Sequence, residues 1–203
     1  MPRPTESLRE RRRRETRREI HAATLRLARE HGFDKITTEM ISAEAGVSPR
    51  TFFNYFPSKE AAVIQEPPQP SQEYVDAFTG AGPAEPREVL ADLTRFLLQG
   101  MVEHPPRRDE FQATFGAAAE HPPVLAALLA RFQAFERTLA AMVAVRTQQD
   151  PQDELPRLMA ALAMTAVKIG MESWASTDPM DEDDSPIPYI ERVLALLGGL
   201  LSP

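Results

Sequence analysis

A chain of 203 residues with 42% hydrophobic and 26% charged residues has the composition of one or two folded domains and can bury a sizeable core. It has no cysteine, so disulfides and thiolate metal sites are excluded, and its formal net charge of -7 argues against a nucleic-acid partner until the charge is divided by position. Without an N-terminal apolar run of signal-peptide length or a stretch of about 18 consecutive apolar residues, the protein is expected to be cytoplasmic and not to enter a membrane.

The charge is unevenly spread. Residues 1–60 hold 13 Lys and Arg against 9 Asp and Glu, a balance of +4, which leaves -11 for the remainder. A basic head on an acidic body keeps the body away from a phosphate backbone. The densest basic stretch runs from Arg9 to Arg18 and includes four consecutive arginines, Arg11 to Arg14. Residues 1–8 read equally as a solvated tail or as part of a DNA-binding arm, and the arginines next to the first helix are placed to touch phosphates or a narrow minor groove. That helix is expected from about residue 11 to 31 and is ended by Gly32. Ile20, Ala23 and Leu27 mark its buried stripe, and Phe33 packs under the turn.

Residues 36–60 carry the punctuation of two short crossed helices and the start of a third. Thr37 is the expected N-cap of a helix near residues 38–45, which Gly46 ends by adopting the left-handed conformation that a tight turn requires. Ser48 and Pro49 then open a helix of about seven residues, serine as cap and proline at the first position, where its missing N–H costs nothing. Phe52 and Phe56 lie one turn apart and, with Ile41 and Val47, form a small core. Arg50, Thr51, Asn54 and Tyr55 occupy the other side, each able to donate to a phosphate or a base edge in a major groove about 12 Å wide. Pro57 and Ser58 stop this helix, and Ser58 caps a following helix with Lys59 in its first turn. This is the pattern of a DNA-reading helix-turn-helix.

The segment GVSPRTFFNYFPSKE, residues 46–60, resembles the recognition-helix region of the TetR/AcrR family of bacterial one-component regulators. It departs from the usual pattern at Phe53, which lacks a phosphate-contacting hydroxyl, and at Ser42. The resemblance implies an all-α protein with a helix-turn-helix head, residues 1–64, and a helical ligand-binding and dimerisation body, residues 65–203. The expected DNA-binding set is Thr37, Ser48, Pro49, Arg50, Thr51, Phe53, Asn54, Tyr55 and Lys59. Within it, Arg50 and Asn54 are assigned to sequence choice, and Thr37, Tyr55 and Lys59 to phosphates.

Beyond Ile64, Pro67 and Pro68 imply an early stop or a kink in the helix after Ser58, and a short helical piece holding Tyr74 and Phe78 follows. Proline-rich breaks then delimit five helices, roughly 87–103, 107–120, 123–147, 154–177 and 187–201. The third carries Leu125, Leu128, Leu129, Phe132, Phe135, Leu139 and Met142 at helical spacing. The last is apolar around much of its circumference, so a broad water-facing side is not expected. By resemblance the last two helices pair with their copies across a twofold axis; the other reading is that they cap the monomer core.

No His-Glu-x-x-His, phosphate-binding glycine loop or cysteine nucleophile is present, so no enzyme activity, metal or cofactor is expected. The acidic run Asp181–Asp184 lacks the alternation of a calcium loop and reads as solvated. Phe96, Met101, Phe111, Phe115, Met159, Met164, Met171 and Trp174 lie on the helices that surround the effector pocket in this family. Together they favour an apolar effector, although such side chains also serve as core. The body further resembles the branch whose C-terminal domain is like that of the mycofactocin-system regulator, a branch associated with acyl-CoA-like ligands. Arg107, Arg108 and Arg131 are the candidate partners for a thioester's phosphates. The resemblance implies a ligand-responsive homodimeric repressor of a palindromic operator, with a ligandless dimeric or architectural DNA-binding protein as the alternative.

Overall fold

The computed structural model describes residues 8–64, 72–177 and 184–200, which are all-α with no strand among them. Ten helices follow in order: α1 (Leu8–His31), α2 (Thr38–Glu44), α3 (Pro49–Tyr55), α4 (Lys59–Val63), α5 (Gln72–Gly80), α6 (Pro86–Glu103), α7 (Arg108–Glu120), α8 (Pro122–Thr147), α9 (Glu154–Ser176) and α10 (Ile187–Leu200), with a single 3-10 turn at Phe33–Lys35. The five body helices begin and end within a residue of where their proline and glycine punctuation puts them. Pro67, Pro68, most of the acidic run and residues 1–7 of the basic arm lie outside the described residues.

The chain divides into two compact units, Met1–Gln65 with Gln112–Leu129, and Glu66–Phe111 with Ala130–Pro203. The first unit therefore takes in a segment that a linear division after residue 64 assigns to the body. Its core is built on the predicted stripe of α1, with Ile20 and Ala23 fully buried, together with Phe33, Ile41, Phe52 and Phe56. Two buried polar groups close it. Nδ1 of His21 in α1 donates to the carbonyl of Ala62 at 2.9 Å, and the Thr114 hydroxyl of α7 donates to the carbonyl of Val63 at 3.0 Å. The His121 ring lies 5.0 Å from that of Phe33, with Nδ1 3.3 Å from Asp34.

The second unit has two apolar clusters. One joins Phe78 of α5, Leu93 and Phe96 of α6, Leu139 and Val143 of α8, and Met159 of α9. The other joins Met101, Met171, Trp174 and Ile190, with Phe111 packed against them. Between α8 and the loop after α5 sits a buried guanidinium: Arg146 donates to the carbonyls of Gly82 and Phe78 and to the Asp92 carboxylate. Such a charge is tolerable because each of its three nitrogens meets an acceptor, one of them a carboxylate.

Some apolar stripes differ from expectation. Leu125 and Leu129 are exposed, as are Leu158 and Ile169 of α9, whereas the buried side of α9 interleaves Met159, Met171 and Trp174 with the small residues Ala160, Ala163, Ala166 and Gly170. Small side chains let α10 come close, so close that the position a Cβ would take on Gly170 is only 2.5 Å from Ile190 Cγ1. Asp184, expected to be solvated, is bound by Arg108 at 3.0 Å and by the Trp174 indole N–H at 2.7 Å.

Candidate nucleic-acid interface and effector body

The helix-turn-helix is assembled by local hydrogen bonds that the sequence dictates. The Thr37 hydroxyl accepts from the Met40 amide at 3.3 Å and caps α2. Gly46, at φ 65°, makes the turn, across which the Val47 amide reaches the Ser42 carbonyl at 2.9 Å. The Ser48 hydroxyl accepts from the Thr51 amide at 3.0 Å, and Pro49 occupies the first position of α3. These caps fix the axis of a two-turn helix too short to hold itself.

Phe52 points inward with no exposed surface and so fixes the rotation of α3. Arg50, Phe53 and Asn54 are thereby turned outward, with Thr51 and Tyr55 half-buried at the flank. Neither the Arg50 guanidinium nor the Asn54 amide has a hydrogen-bond or ion-pair partner among the described residues. Phe53, 54% exposed, stacks edge-on against Phe52. The structure thus brings Ser48, Pro49, Arg50, Thr51, Phe53, Asn54 and Tyr55 together on one short element.

The two remaining residues, Lys59 and Thr37, also bond to the head's own backbone. The Lys59 ammonium donates to the carbonyls of Phe33 and Ile36, both at 3.0 Å, approaches that of Asp34, and lies 4.7 Å from the Phe33 ring centre. It clamps the 3-10 turn to the start of α4. Thr37 caps α2, and beside it Glu39 is held below the usual carboxylate range, first by its own backbone amide and then by the Thr37 hydroxyl. Three further residues hold the head together without having been singled out in the sequence: His21, Arg17 stacked 4.7 Å over Phe56, and Arg26 paired with Glu44 at 2.9 Å. His21 was detectable, because it adjoins Ile20 and lies one turn from Thr24 and Leu25 on a buried face.

In the body, Phe96, Met159 and Met164 belong to the first apolar cluster, and Met101, Phe111, Met171 and Trp174 to the second. Phe115 lies in the segment that folds with the head and joins neither cluster. Arg131 is half-buried and already engaged. Arg107 pairs with Asp109 at 3.2 Å, which raises its pKa. Arg108 stacks over Trp174 and donates to the carbonyls of Trp174 and Thr177 as well as to Asp184. That contact, ahead of the Trp174 hydrogen bond, holds the Asp184 carboxyl below its ordinary range. None of the described helices is long and apolar enough to cross a membrane.

A capped helix-turn-helix with outward-facing donors, followed by a body of amphipathic helices, is the architecture of a DNA-binding transcriptional regulator. The chain belongs to the TetR family: residues 20–64 match the model for bacterial regulatory proteins of the tetR family, and residues 87–201 match the MftR C-terminal domain. It is 30% identical over 188 residues to the HTH-type transcriptional regulator TcmR of Streptomyces glaucescens, covering 84% of this chain and 79% of that one. Over 46 residues, 23% of each chain, it is 43% identical to an uncharacterized HTH-type transcriptional regulator of Mycobacterium tuberculosis. Among solved structures it is similar to Thermus thermophilus FadR, a TetR-family transcriptional repressor in complex with lauroyl-CoA, at 28% identity and a TM-score of 0.51, covering 92% of this chain and 96% of that one. The family consists of transcriptional regulators, not enzymes.

Proposed function

We propose that this regulator is a homodimeric repressor that binds an inverted-repeat operator and is released by an apolar effector of the acyl-CoA class. The observation that carries the DNA reading is α3, whose buried Phe52 turns unpartnered Arg50 and Asn54 outward. One such helix contacts only a few base pairs, so useful specificity requires two, spaced about 34–36 Å apart for one turn of DNA. Support for the dimer comes from α9 and α10, where Leu158, Leu162 and Ile169 share a side of α9 away from its alanine stripe and Leu196 is 64% exposed. The effector class is supported by the relative that binds lauroyl-CoA and by the apolar clusters in the body.

In this reading the effector alters the angle of the helix after Ser58. The contact through which this change is proposed to act is Thr114 of α7, whose hydroxyl donates to the carbonyl of Val63 in the last turn of α4. A small rotation of each head takes the two α3 helices out of step with successive major grooves. A tenfold loss of operator affinity needs about 1.4 kcal/mol of differential binding. The test is a band shift on the intergenic DNA flanking its own gene, alone and with acyl-CoA esters of graded chain length, after native mass spectrometry for co-purifying compounds. A retarded band released by one ester is expected. No shift with any flanking DNA at low salt overturns the reading. A shift that no ester alters, with no change in melting temperature, leaves a ligandless dimeric regulator.

A further inference from the structure

Among the described residues, the arginines of the body are almost all engaged. Arg95, Arg107, Arg108 and Arg146 face carboxylates, Arg192 lies over the Tyr189 ring, and only Arg137 and Arg157 have no partner. These two line the same cleft, a depression of about 330 Å³ between the middle of α8, the loop after it and the first turn of α9. Gln133 and Gln152 add neutral donors, and Glu136 and Ala140 complete the wall. The carboxylates of the loop are turned onto its own backbone: Asp150 accepts from the Gln152 amide at 2.8 Å and Asp153 from the Asp150 amide at 2.9 Å. Neither neutralises a guanidinium. A lone unpaired arginine on a surface is ordinary, but two that line one concavity can offer their guanidinium N–H groups to a single phosphoryl group.

We propose that this cleft binds a small phosphate-bearing anion, held by Arg137 and Arg157 with Gln133 and Gln152 as auxiliary donors. Its volume lies at the lower end of ligand-pocket sizes, ~300–1,000 Å³, which suits a nucleotide-like end and leaves no room for a long chain. Ala140 in its wall also belongs to the first apolar cluster, so the charged end of an amphiphile in the cleft sits directly over apolar packing. The assignment deepens the effector reading and rests on it for the acyl-bearing identity of the ligand, while the anion site itself does not.

Titration calorimetry on the full-length protein tests the site with coenzyme A, adenosine 3′,5′-bisphosphate, inorganic pyrophosphate and lauroyl-CoA. Binding of the bisphosphate and coenzyme A is expected, with a loss of about tenfold or more in the Arg137→Ala/Arg157→Ala double variant and weakening by salt. Glu136→Gln is expected to tighten binding, a gain that a merely structural role for the cleft does not give. Pyrophosphate binding as tightly as the bisphosphate marks a general phosphate site, and weaker binding marks a nucleotide end. The proposal is overturned if no probe binds the wild type at low salt, or if the double variant, with unchanged helical circular dichroism, binds as the wild type does. Lauroyl-CoA binding that ignores the two arginines removes this site and leaves the effector reading standing. Arginine-dependent bisphosphate binding without any effect of lauroyl-CoA on the operator complex does the reverse.

Discussion

Replacing Gly170 by alanine is expected to destabilise the protein, although alanine is the better helix former. A methyl at this position in α9 would lie 2.5 Å from Ile190 Cγ1, 2.6 Å from its Cα and 2.8 Å from its N. Carbon atoms in contact prefer ~3.5–4.0 Å, so α10 must retreat by about 1 Å. Two of the three crowded atoms are backbone, and turning the Ile190 side chain cannot relieve them. Overpacking of this kind costs about 1–3 kcal/mol, while removing a glycine from a helix interior offsets about 0.5–1 kcal/mol. The net loss is up to about 2.5 kcal/mol, centred on about 1 kcal/mol, or up to roughly 10 °C in melting temperature for a chain of this size. Gly116 in α7 is the matched control, because a Cβ there meets nothing within 4 Å, and Gly116→Ala is expected to gain up to about 1 kcal/mol. Thermal melts of both variants followed by circular dichroism at one protein concentration decide the matter. Adding Ile190→Val to Gly170→Ala is expected not to restore stability, since the Cα and N remain. Gly170→Ala melting at or above the wild type would refute the close approach of α9 and α10.

Lys59→Ala is expected to lower the melting temperature by removing the clamp on the Phe33 and Ile36 carbonyls, at a cost of about 1–2 kcal/mol, while the salt dependence of DNA binding keeps its slope. A slope reduced by about 1 in a titration of operator binding against salt would instead make Lys59 a phosphate ligand. Arg50→Ala is expected to cost about 1–3 kcal/mol on the operator and little on random DNA, as read by competitive band shifts; equal losses on both would move Arg50 to the phosphate class. Asp184 is held below the ordinary carboxylate range by Arg108, so its contribution is complete above that range and is lost as pH falls through the depressed value. The stability gap between wild type and Asp184→Asn should therefore narrow in melts taken from neutral pH to about pH 3, and a constant gap would refute the contact.

Element ends were legible because they depend on residues within one turn of each other: Thr37 and Ser48 as caps, Pro49 at a first helical position, Gly46 at positive φ. The rotation of α3 followed from the spacing of Phe52 and Phe56 alone. Periodicity shows that a helix has an apolar side, but not which side meets the core. Leu125 and Leu129 consequently share the spacing of buried Leu128 and Leu139 yet stand exposed, and the alanines and Gly170 of α9, which no pattern of large apolar residues marks, pack inward. The clamp at Lys59 could not be read, since its acceptors lie 23 to 26 residues away and converge only after folding. Arg146 could have been read: it continues the Leu139, Met142, Val143 stripe of α8, and a charge on a buried stripe implies that fixed acceptors await it.

The first compact unit is discontinuous in sequence, since Gln112–Leu129 fold with Met1–Gln65. The hydroxyl of Thr114 seated on the Val63 carbonyl and the ring of His121 on Phe33 are therefore inherited separately from the residues they complete. A single crossover after residue 65, whether by recombination or in a laboratory chimaera, hands the reading helix to a host that lacks both partners. The Val63 carbonyl then loses its donor and Phe33 its cover. Exchange of DNA specificity between such regulators accordingly favours transplanting the two segments together, or a recipient that already supplies a hydroxyl and an aromatic ring at the equivalent positions.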